Sequence, residues 1–197
     1  MKKFLFVLAV LAIFGAARWA IHRPIEHSPG ELVADEPQQS DPSNRTTVQH
    51  GDFALTPLAD FSVEARVLSR HDYSLGIESE LSPTDFALGW RRMSDSAVID
   101  RLDIEQSARF YTYHWADAPP IPADEIVRSS ANMHLVPADA TVESDLGRVR
   151  TGDVIALHGR LIEARRSDGW HWRSSLRRDD TGAGACELVL VDAVEIR

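Results

Sequence analysis

Cys186 is the only cysteine in the chain, and a thiol is the strongest nucleophile the sequence offers. A thiolate activated by a nearby imidazole supports acyl or group transfer through a covalent intermediate. His134, His158 and His171 lie in the half of the chain that folds around Cys186, so a cysteine-dependent hydrolase or transferase with one of them as base is one reading. The competing reading starts from spacing. Cys186 is in phase with Leu188 and Leu190, and a cysteine in that position points into a core as a small hydrophobe.

A second constellation has the chemistry of binding. Eight arginines (Arg148, Arg150, Arg160, Arg165, Arg166, Arg173, Arg177, Arg178) stand against Asp153, Glu163 and Asp168 between residues 148 and 178, in a chain whose formal charge is -9. Alternation over residues 170–177 puts Trp170 and Trp172 on one strand face and His171, Arg173 and Arg177 on the other. Cations for attraction and indoles for stacking suit an anionic envelope polymer, a lipid head group or a protein partner. The plainer alternative is a solvated face whose arginines pair with carboxylates. Asp180-Thr181-Gly182-Ala183 carries the letters of an aspartic-protease turn, but Arg177-Arg178-Asp179 precedes it where such a site needs an apolar strand. Metal chemistry is not expected, because there is no His-Glu-x-x-His and no cysteine pair. Gly182 and Gly184 lead into a strand and not a helix, so they do not form a phosphate loop. No cofactor is implied.

The elements that must position these residues form a β unit. Residues 153–164 are rich in β-branched and aliphatic side chains after a Gly-Asp turn, with Gly159 marking a bulge or a close backbone approach. Ser167-Asp168-Gly169 reads as a hairpin turn, and residues 186–196 form a strand apolar on both faces at its middle, as an interior strand is. Upstream, residues 53–58 and 61–68 read as two strands. Ser82-Pro83 reads as the start of a short helix over residues 83–89, and Ser94 or Asp95 as the cap of another. Residues 109–115 and 132–136 read as strands, and residues 142–149 as a helical turn. The expected fold class is mainly β with short helices, α+β, as a strongly coiled antiparallel sheet or small OB-like barrel.

Composition is that of a globular protein, and its acidity argues against nucleic acid as a partner. Residues 1–21 carry Lys2 and Lys3 before an apolar run and read as a membrane anchor or a signal peptide. As a helix, residues 4–21 span about 27 Å, close to a hydrocarbon thickness. The expected localisation is the inner membrane, single-pass, with the C-terminal domain exported, or secretion if the segment is cleaved. Residues 22–51, with Pro24, Pro29, Pro37 and Pro42 among polar residues, read as a flexible tether. Residues 52–197 form the exported domain.

The strings LSPTDFALGW (81–90), SANMHLVPAD (130–139) and DTGAGACELV (180–189), with WAIHRPI (19–25), resemble a group of uncharacterised bacterial proteins with an N-terminal membrane segment. Arg91 stands where that pattern has glycine. The resemblance implies an exported domain and no particular activity. The reading of the whole sequence is a membrane-anchored cell-envelope binding or adaptor module, non-enzymatic, with the cysteine-dependent enzyme as its alternative.

Overall fold

The computed structural model of the chain describes residues 23–177, 179–180, 182 and 184–197. In chain order the strands are β1 (Gln38–Ser40), β2 (Val48–His50), β3 (Phe53–Asp72), β4 (Thr84–Gly89), β5 (Asp103–Ser107), β6 (Phe110–His114), β7 (Ser130–Pro137), β8 (Val154–Arg165), β9 (His171–Arg173) and β10 (Glu187–Ile196). One edge of β3 is taken in turn by β2, β1 and β4, and its other edge by β8. The order β3-β4-β7-β10-β8 then returns to β3, so the curled sheet partly closes into a ring of five strands. β7 and β10 run parallel and the other neighbours antiparallel. The helix Ala140–Arg148 sits between the third and fourth strands of the ring. This connectivity resembles an OB-type fold and agrees with the coiled α+β sheet expected from the sequence.

The ring exists because one face of each strand is apolar. Val63, Ala65, Val67, Phe86, Leu88, Met133, Leu135, Ile155, Leu157, Val189 and Val191 fill its interior. A 20-residue strand cannot follow such a curve without a break in its ladder. β3 has one between Pro57 and Ala59 and another between Val67 and Ser69. The two strands expected over residues 53–68 are therefore one bent strand. Gly159 meets its expectation, since a Cβ there would lie 2.2 Å from the Leu190 carbonyl oxygen. At Arg91 the backbone is left-handed, with φ of 50°, a conformation that glycine adopts freely.

Two expectations are corrected. Residues 83–89 form no helix. Residues 84–89 are a wholly buried strand, β4, hydrogen-bonded on both edges, because a six-residue run carrying Phe86 and Leu88 between two partners gains more from ladder and core than from one helical turn. The membrane segment expected over residues 1–21 lies outside the described residues. Among the described residues no helix is long and apolar enough to cross a membrane, so the assignment as a single-pass inner-membrane protein, with its transmembrane helix as the link to the membrane, is withdrawn.

The proline-rich segment after residue 22 runs along the ring. The Ile25 N–H donates to the Thr151 carbonyl at 2.8 Å, the His27 imidazole donates to the Gly152 carbonyl at 2.8 Å, and the Gly30 N–H donates to Asp95 at 2.8 Å. Val33 is buried in the core, and β1 pairs with β3.

Candidate functional site

Strand alternation dictates where the site lies. With Phe86, Met133 and Val189 turned into the ring, their neighbours Asp85, Asn132, His134 and Leu188 face the other way. Register sets Asp85 opposite His134, and His134 opposite Leu188. The outer face of β4 and β7 therefore carries an acid, an imidazole and an amide in adjacent rows.

In this chain that face is covered. The insertion between β4 and β7 carries the two-stranded sheet β5–β6, whose two-residue turn, Ala108-Arg109, sits over Asp85. Arg109 Nη1 donates to Asp85 Oδ1 at 2.7 Å and Nη2 to the Ser82 carbonyl at 2.9 Å. Its guanidinium carbon lies 3.7 Å from the centre of the Tyr73 ring and 5.6 Å from that of Trp172. The Arg109 N–H donates to the Tyr73 hydroxyl at 3.1 Å. Asp85 is 0 % exposed and His134 3 %. His134 Nδ1 and Asp85 Oδ2 are 2.9 Å apart. The His134 ring packs 4.6 Å from the Trp172 ring.

Cys186 stands one row further along, just before β10. Its sulfur is 3.9 Å from the Arg109 carbonyl oxygen, an oxygen that also accepts from the Asn132 amide at 3.1 Å. Burial, followed by the charge of Glu187, pushes the Cys186 thiol up to about 11. Of the three imidazoles, only His134 shares this face, and it is occupied by Asp85 and Trp172. His158 lines a separate polar groove with Gln39, Asp60 and Asp192, and His171 is exposed on β9. The sequence-predicted thiol and histidines are thus brought to one region only in the case of Cys186 and His134.

Beside Cys186 opens a cavity of about 200 Å³. Phe110, Tyr111, Tyr113 and Val127 line it with apolar surface, and Asn132, Cys186, Arg177 and Asp180 line it as well. Phe110 is 48 % exposed. Burial raises the Tyr113 hydroxyl, and it raises that of Tyr111 further, so both remain neutral donors.

The remaining sequence-predicted residues are placed as follows. Trp170 and Trp172 are half-buried and pack edge to face 6.3 Å apart, with Phe53 5.4 Å from Trp170. Arg173 pairs with Glu163 at 3.1 Å, and Arg177 with Asp179 at 3.1 Å. Arg178, Thr181 and Ala183 lie outside the described residues. Among those described, no cluster of His, Cys, Asp and Glu has the make-up of a metal site.

Sequence reasoning did not find Tyr73, Asp85, Arg109 or Asn132. A lone aspartate inside the apolar run of residues 84–89 was the available signal, since a strand there forces its carboxylate to need a partner. No protein-family model, curated protein or solved structure matches the chain, so fold and site geometry carry the functional argument.

Proposed function

We propose that the chain is a non-enzymatic binding module that grips one apolar side chain of a protein partner in the cavity between β6, Val127 and Cys186. The observation that carries this reading is the pairing of an open, aromatic-walled cavity with a thiol kept neutral. Small-molecule sites usually enclose about 300–1,000 Å³, whereas about 200 Å³ suits a single aromatic or branched side chain. Anchors of this kind dominate the energetics of protein interfaces. The edge of β6 away from β5 has no strand partner among the described residues, so an extended segment could add main-chain hydrogen bonds beside its anchored side chain.

Two other readings have less support. A cysteine nucleophile needs a thiolate at working pH, and burial of Cys186 acts against one. An anionic ligand on Arg173 and Arg177 would compete with carboxylates that already hold those guanidiniums.

The test is a chemical-shift titration of the labelled protein with N-acetyl-phenylalanine amide. Binding in the millimolar range, about 4 kcal/mol, is expected, with shifts concentrated at Tyr111, Tyr113, Val127, Asn132 and Cys186. Val127→Trp fills the cavity and should abolish them. Shifts located elsewhere, or unchanged by that substitution, would overturn the reading.

A further inference from the structure

We infer that the recess formed by Asp85, the Ser82 carbonyl, Tyr73 and Trp172 is a guanidinium-binding site, filled in this structure by Arg109 and open to an arginine side chain of a partner when the β5–β6 hairpin lifts.

The recess has every part a guanidinium needs. A fully buried carboxylate and a carbonyl accept from its two terminal nitrogens at 2.7 Å and 2.9 Å, while one ring lies against its face at 3.7 Å and a second at 5.6 Å. Planar cations are held in this way by stacking and directed hydrogen bonds, and an ammonium cannot reproduce the arrangement. Arg109 reaches Asp85 Oδ1, and Asp85 Oδ2 lies 2.9 Å from His134 Nδ1.

The resident is held under strain. Ala108 and Arg109 have φ of 47° and 69°, and a two-residue hairpin turn of this kind favours Asn-Gly because side chains disfavour the left-handed region. The β5–β6 sheet is separate from the main sheet. Besides Arg109, it is joined to the ring by the Gln106 amide donating to Asn132 at 2.7 Å, by the Tyr111 hydroxyl near Ser130 at 3.4 Å, and by Ile104, Tyr111 and Tyr113 packing against the cluster that holds Leu68, Ala87 and Met93. Its lifting therefore breaks side-chain contacts and leaves the ring's ladder whole. The formal charge of -9 favours approach of a basic segment.

This site goes beyond the aromatic cavity and does not depend on it. Arg109→Ala in the full chain vacates the recess, and agmatine, an alkyl guanidinium, is the probe, with cadaverine as the ammonium control. Agmatine should raise the melting temperature of the variant and perturb the Trp172 indole resonance, with about tenfold weaker effects or none for cadaverine. The wild type, whose recess is filled, should respond less than the variant. Equal responses to both amines, equal responses of wild type and variant, or no response would overturn the inference. Should the variant be unfolded, refolding decides: recovery with agmatine and not with cadaverine supports the site, and equal or absent recovery removes it. Binding of N-acetyl-phenylalanine amide without agmatine rescue would sink the recess alone, and the opposite pair of results the cavity alone.

Discussion

Arg109 holds a carboxylate, a carbonyl and a phenol ring with one planar group, which makes it the side chain on which the covered face most depends. Lysine at this position keeps the charge and loses the fork and the stacking surface. Arg109→Lys is expected to lower stability by about 2 kcal/mol, measured by urea unfolding. Cys186 gives a pH dependence with a definite sign. Its pKa is raised from 9.0 to about 11 in the folded chain, so the unfolded chain loses the proton first. Stability from this group is complete below the unfolded value and is lost as pH rises through the folded one. Tyr111, raised by burial, acts in the same direction. Urea midpoints compared at about pH 8 and about pH 10.5 should fall at the higher pH, and Cys186→Ala should reduce the fall.

At the scale of elements, β7, β8, β10 and the β6 arm of the covering hairpin were legible, and β4 and the hairpin's turn were not. Residues 132–136, 153–164 and 186–196 declare themselves by apolar alternation between turn residues, and each is a strand. Residues 83–89 were misread because Ser82-Pro83-Thr84-Asp85 carries helix-start chemistry, while two flanking strands impose the extended form. The hairpin over the site left less trace. Its turn is Ala108-Arg109, without the Asn or Gly that marks such turns, so Arg109 read as the start of a strand and not as a tip. Gly159 makes the closest checkable claim about the ring. Its missing Cβ lets the Leu190 carbonyl approach, and Gly159→Ala should cost about 1–3 kcal/mol, read as a lower urea midpoint with an unchanged slope.

At the scale of the whole molecule, composition and contact point in different directions over residues 23–51. Four prolines among polar residues suggest an extended linker, yet extended chain can also lie along a sheet edge, and here it buries Val33 in the core cluster that also holds Phe61 and Trp90. Val33→Asp distinguishes the two, since a linker tolerates it. A packed segment should lose about 2–4 kcal/mol, seen as a drop in melting temperature. The site was legible only in part. Cys186, His134 and the tryptophans stood out by residue type, while Asp85, Arg109 and Tyr73 come together through pairings far apart in sequence that no local pattern encodes.

The claim that this face binds and does not catalyse rests on the state of one sulfur. The rate of Cys186 alkylation by iodoacetamide, measured on the folded chain across pH, tests it most directly. The account predicts slow reaction near neutrality and a rate still climbing toward an apparent pKa of about 11. Fast reaction that levels off near neutral pH would mean a stabilised thiolate and would contradict it.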